Sequence, residues 1–146
     1  MQRESTVIAQ TVYALRQGID IIERLDDDLY SNSLPPFFRY AVGGHFRHLL
    51  DFYSCFLAGH ETGRIDYDNR ERDKLVERDR LAATARLRAA IVFLRELPAR
   101  GEQKPVLVRM EDATRGSDPS RWSPSSIARE LQFLLSHTVH HYALIA

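Results

Sequence analysis

Cysteine is almost missing from this 146-residue chain, where Cys55 stands alone. That excludes an intrachain disulfide and a cysteine-rich zinc site, and it suits a reducing, cytoplasmic compartment. A surplus of one charge is missing too. Twenty Lys and Arg face twenty Asp and Glu, so no overall basic field exists to draw nucleic acid. No apolar run approaches the ~18–20 residues that cross a bilayer. Met1-Gln2-Arg3-Glu4-Ser5 leads into no signal-type apolar segment. Several catalytic signatures are also absent: Gly-x-x-x-x-Gly-Lys, Gly-x-Gly-x-x-Gly, His-Glu-x-x-His and a serine nucleophile elbow. No histidine has a glutamate three residues before it, which argues against a ferritin-like di-metal bundle. The expected partner is a small molecule, with no nucleic acid and no membrane.

What is present is a globular balance, 44% hydrophobic and 27% charged, in a length suited to one domain over residues 1–146. Apolar residues recur at helical spacing in four stretches. The first opens at Ser5, a good cap, runs through Val12, Leu15, Ile19 and Ile22, and closes near Asp28-Leu29-Tyr30. Ser31 to Pro36 reads as a loop. The second spans about Phe38 to Leu57, with Ala41, His48, Leu49, Phe52 and Phe56 on its apolar face. Gly43-Gly44 near its start means that the helix begins after the pair or that another element packs very close. Gly59 is a natural stop.

From Arg64 to Arg80 the chain is dense in balanced charge and reads as a loop feeding a third helix, Arg72 to Leu97. Leu75, Leu81, Leu87, Ile91 and Leu94 mark its buried side, and Pro98 ends it. Arg100 to Ser123 is not helical. Val106, Val108 and Met110 alternate with Leu107, Arg109 and Glu111, which fits a short strand pairing near Arg121-Trp122 across Gly116–Pro119. The fourth helix opens on Ser123-Pro124-Ser125-Ser126, a serine cap with proline in the first turn. Ile127, Leu131, Leu134, Leu135, Val139, Tyr142 and Ile145 give it a core face. The chain stops at Ala146 inside that apolar pattern. The fold class is therefore all-α: a four-helix bundle with one long irregular connection, holding a short β-hairpin, between the third and fourth helices.

Five of six histidines fall in two clusters, His45-Phe46-Arg47-His48 and His137-Thr138-Val139-His140-His141. His137 and His141 are four apart and share one helix face, about 6 Å apart along the axis. Two imidazoles so spaced can converge on one metal ion. His48 lies on the apolar face of the second helix and is the natural third ligand. Three neutral imidazoles leave coordination positions open, as in a catalytic site. The competing reading is that the histidines fill a hydrogen-bonded polar core.

Around them, His45 is placed as a proton carrier or substrate contact. Asp51, one turn after His48, and Glu130, two turns before His137, could accept the outer N–H of a ligating imidazole. Arg70 or Arg72, in the run Tyr67 to Asp73, could hold an anionic substrate by a charge-assisted fork, or the run is simply a solvated helix start. Cys55 reads as a buried core residue. His140 reads as packing or solvated, and His60 as a loop residue.

Gly43-Gly44-His45-Phe46-Arg47-His48-Leu49-Leu50-Asp51, Ile65-Asp66-Tyr67-Asp68 to Arg72-Asp73, and Arg129-Glu130-Leu131 through His137-Thr138-Val139-His140-His141 together resemble the DinB-like superfamily. The resemblance covers the chain from the second helix onward, and the histidine triad is its specific part. It implies a bundle carrying a divalent metal on His48, His137 and His141. It also implies a bacterial, often dimeric protein related to transferases or isomerases that use low-molecular-weight thiols such as mycothiol or bacillithiol. The stop at Ala146 is earlier than in longer members.

On charge grounds, three neutral ligands would leave a divalent ion's full charge to act on what binds next. A bound thiol or water would then lose its proton more easily, with His45 or Glu130 to receive it. Imidazole sites accept Zn, Ni, Fe, Co or Mn. The function expected is a metal-dependent thiol S-transferase or hydrolase. The alternative is a metal- or small-ligand-binding bundle without turnover.

Overall fold

A computed structural model describes residues 6–31, 41–97, 101–110 and 122–145. The expectations for Ser5, Pro35-Pro36, Phe38, Pro98 and the Gly116–Pro119 turn lie outside the described residues.

The order of elements is α1 (Thr6–Glu23), α2 (Asp27–Ser31), α3 (Val42–Gly59), β1 (Arg64–Asp66), α4 (Lys74–Arg78), α5 (Arg80–Glu96), β2 (Pro105–Arg109), β3 (Ser123–Ser126) and α6 (Ile127–Ile145). The chain is mostly helical, with a small three-stranded sheet. α1 packs against α5 and α6, while α3 packs against α4, α5 and α6. Their apolar stripes meet in one core that includes Leu15, Ile22, Phe46, Leu49, Phe56, Leu87, Leu94 and Leu131.

α3 begins at Val42, so the glycine pair lies inside the helix. The reason is close approach: a Cβ on Gly43 would collide with the main chain of Glu77 in α4. α3 ends at Gly59, as its composition suggests.

The single third helix expected from Arg72 to Leu97 is instead two. Asp79 separates them in an extended conformation (φ −118°, ψ 109°). Its N–H closes α4 on the Leu75 carbonyl at 2.9 Å. Its carboxylate opens α5 by accepting from Leu81 N (2.9 Å) and Ala82 N (3.4 Å). An aspartate that satisfies both helix ends makes the break favourable. The break turns Leu75 and Leu81 outward, 58% and 79% exposed, and buries Val76 in their place.

The all-α expectation needs a second correction, because the irregular connection carries a sheet and not a lone hairpin. β2 pairs antiparallel with β3, Val106 opposite Ser125, and parallel with β1, Ile65 opposite Val108. Ser123-Pro124-Ser125-Ser126 is therefore a strand, and Ser123 does not cap the helix. Proline is tolerated there because β3 is an edge strand. Capping passes to Ser126, whose Oγ accepts from Arg129 N at 3.2 Å. On α6 Ile127, Leu131, Leu134 and His141 are buried as expected, but Val139 is exposed, Leu135 is only half-buried and Thr138 is buried in their place.

Candidate metal centre

α3 and α6 lie side by side and bring their histidines together. His48, His137 and His141 each offer a ring nitrogen, and these atoms lie within 4.8 Å of one another. His141 is buried, while His48 and His137 are half-buried. The Nε2 atoms of His137 and His141 are 3.1 Å apart. Ligand nitrogens about 2.0–2.1 Å from a shared zinc ion lie about 3 Å from one another. The pair is thus spaced as two ligands of one ion would be. No carboxylate or thiol among the described residues joins the group. The donor set is three borderline-soft nitrogens, suited to a divalent transition metal.

Aromatic rings wall the group. The Phe52 centroid is 4.5 Å from that of His137 and 5.1 Å from that of His48. Phe133 stacks on His137 at 15° and 5.8 Å. Phe52 was read from the sequence only as a residue of the apolar face, and Phe133 was not singled out. Both sit one turn from a ligand candidate on its own helix, Phe52 four after His48 and Phe133 four before His137, and that spacing was the available signal.

Burial shapes the titration. Desolvation first, then the neighbouring His48, pushes His137 down to about 4. Desolvation, then His137 and His48, pushes His141 down to about 3. Desolvation also lowers His48, with the positive charge of Arg70 the next cause. All three imidazoles are therefore neutral at pH 7, the state that a metal ligand requires.

His45 is fixed against a ligand candidate. Its Nδ1 lies 2.9 Å from Nδ1 of His141. For Nε2 of His141 to offer a lone pair, its proton must sit on Nδ1, where His45 can accept it. This is the orienting contact that sequence reasoning sought from Asp51 and Glu130.

Those two carboxylates are engaged elsewhere. Glu130 is buried, with Oε1 accepting from Tyr67 Oη at 2.8 Å and Oε2 from Ser125 Oγ at 2.6 Å. It locks α6 to the chain after β1 and to β3. Asp51 lies 3.6 Å from Arg47, and its Oδ1 accepts from Arg72 N at 3.1 Å.

The two arginine candidates separate. Arg72 is exposed, and its contribution is main-chain: its φ is +53°, held by the bond to Asp51. Arg70 is half-buried, with its guanidinium carbon 5.6 Å from the Phe52 centroid. Its Nε is buried without a hydrogen-bond partner among the described residues.

Cys55 is buried, its Sγ 3.4 Å from the Asn69 carbonyl. Burial, then the charge of Asp51, pushes its thiol up to about 11, which makes it a poor nucleophile. His140 is exposed. The ring of His60 stacks on Phe56 and meets Phe93 edge-on, away from the triad. No helix among the described residues is long and apolar enough to cross a membrane. Comparison with models of known protein families, with curated proteins and with solved structures finds no match to this chain.

Proposed function

We propose that the chain is a DinB-like four-helix bundle, built on α1, α3, α5 and α6, that holds one divalent metal ion on His48, His137 and His141. The single observation that carries the reading is the convergence of three neutral imidazole nitrogens from two helices within 4.8 Å. A polar core has no need to gather ring nitrogens of three histidines from two helices within 4.8 Å.

When bound, the ion supplies positive charge that eases deprotonation of a thiol or water beside it. The chain's own residues do the rest. His45 holds the Nδ1 proton of His141. Phe52 and Phe133 exclude water from one side. Zinc, nickel, iron, cobalt and manganese all suit the donors. The activity that follows is transfer from a low-molecular-weight thiol to a small electrophile, or hydrolysis of one.

The test is elemental analysis of tag-free protein beside a His48→Ala, His137→Ala, His141→Ala variant, each before and after incubation with zinc or nickel. About one ion per chain, lost in the variant, is the expected result. Failure of the wild-type protein to take up either metal would return the histidines to a polar core.

A further inference from the structure

Arg70 is a cation on the Phe52 side of His48 and His137, two of the three histidines that are themselves arranged for a cation. Its guanidinium lies over Phe52, and the Phe52 ring touches both His48 and His137. Its Nε is buried without an acceptor among the described residues. A buried, charged donor left unpaired is costly. A divalent ion nearby would raise the cost by like-charge repulsion.

Neighbouring acids do not relieve it, because each is committed. Asp51 lies 3.6 Å from Arg47 and accepts from Arg72 N. Asp66 takes Arg109 at 2.5 Å and Asp68 lies 3.8 Å from the same guanidinium. Glu71 and Asp73 both pair with Arg86, at 2.9 and 3.0 Å.

The segment that carries Arg70 is pinned on both sides of it. Asn69 N–H donates to the Asp66 carbonyl at 3.3 Å, and its own carbonyl receives Cys55 Sγ. Two residues later Arg72 is held at φ +53°, a left-handed backbone that is unfavourable for a non-glycine residue. The fold thus bears local strain next to an arginine whose Nε has no hydrogen-bond partner among the described residues.

We infer that Arg70 is the receptor for a carboxylate of the small molecule that meets the histidine triad. A carboxylate offers two coplanar oxygens to the Nε–Nη edge of a guanidinium. Bound to Arg70, it would satisfy the buried Nε and screen one cation from the other. The inference rests on the proposed metal reading for the second of these gains and on Arg70 alone for the first. It narrows the substrate class to carboxylate-bearing small molecules.

The test is calorimetric titration of the full chain, metal-free and zinc-loaded, with succinate and separately with inorganic phosphate, for the wild type and Arg70→Gln. Zinc stoichiometry of each protein is measured alongside, so that failure of the metal reading is seen independently. The expected result is succinate binding by the wild type, weakened on the order of ten- to hundredfold in Arg70→Gln, with zinc content unchanged. Equal succinate affinity in the two proteins overturns the inference, as does a wild type that binds phosphate and not succinate, or neither. Should Arg70→Gln fail to fold, the Nε–H resonance of Arg70 in the wild-type protein decides. A downfield shift that saturates with succinate supports the receptor role, and a resonance that does not move overturns it.

Discussion

His45 and His141 meet through their Nδ1 atoms at 2.9 Å, across the gap between α3 and α6. The contact fixes which nitrogen of His141 is left to face His137. An imidazole whose outer nitrogen is held keeps one tautomer and one ring orientation, and partners of this kind are worth about 10–100-fold in metal affinity. His45→Ala should therefore weaken zinc binding by about that factor without changing the stoichiometry at saturation. Competition against a chelator of known affinity reads it. An unchanged affinity would remove His45 from the site.

Glu130 looked from the sequence like a proton acceptor two turns from His137, but both its oxygens are occupied by Tyr67 and Ser125. A buried acceptor pair serving two donors is structural in effect. Glu130→Gln exchanges one acceptor for an NH2 group that must face a donor, so about 1–3 kcal/mol of stability should be lost. Metal content should stay at the wild-type value. Loss of metal with intact stability would restore Glu130 to the site.

What was legible in the sequence followed from periodicity. His137 and His141 share a helix face at any tertiary arrangement, and His48 sits on the stripe with Leu49 and Phe52, so convergence across a helix pair was readable. Direction around a helix was less so. Val139 was placed on the core face and Thr138 was not, yet Val139 is exposed and Thr138 buried. Its Oγ1 donates to the Leu134 carbonyl at 2.8 Å and so accepts from Tyr53 Oη at 2.8 Å. A threonine satisfied in this way belongs in a core, but the partner is 85 residues away in the chain. The strands were hidden for similar reasons. β1 is three residues inside a charged run, and β3 has the composition of a helix cap. Only pairing with β2 reveals either. Arg70 and Arg72 are indistinguishable by composition. What separates them is Asp51, which takes the main chain of one and leaves the other's Nε without a partner among the described residues.

Gly43 places two opposing effects in competition. Alanine in a helix interior is favoured over glycine by about 1 kcal/mol through backbone entropy. At this position, however, the added Cβ would collide with the Glu77 carbonyl, a main-chain group that cannot swing aside. Overpacking costs about 1–3 kcal/mol, more where backbone must move. The collision wins, and Gly43→Ala should lower the melting temperature by several degrees.

The pH dependence of the metal-free protein follows from the same burial that keeps the triad neutral. His137 titrates at about 4 and His141 at about 3 when folded, against about 6.5 in the unfolded chain. Both folded values lie below the unfolded one, so as pH falls through 6.5 the unfolded chain takes up protons first. The stability these residues contribute is therefore whole above pH 6.5 and is lost progressively as pH falls toward 4 and then 3. Because the two rings interact, the loss by pH 4 should be on the order of 2–3 kcal/mol and not the sum of two independent shifts. Thermal melts of the metal-free protein from pH 8 to pH 4 should show the midpoint dropping steeply below pH 6.5. The same series on His137→Ala, His141→Ala should be markedly flatter, since the groups that drive the fall are gone. Saturating zinc should raise the wild-type midpoint most near neutral pH and progressively less on acidification, because protons and the metal compete for the same lone pairs. Parallel slopes in the wild type and the double variant would show that carboxylates, and not the triad, set the acid limit of the fold.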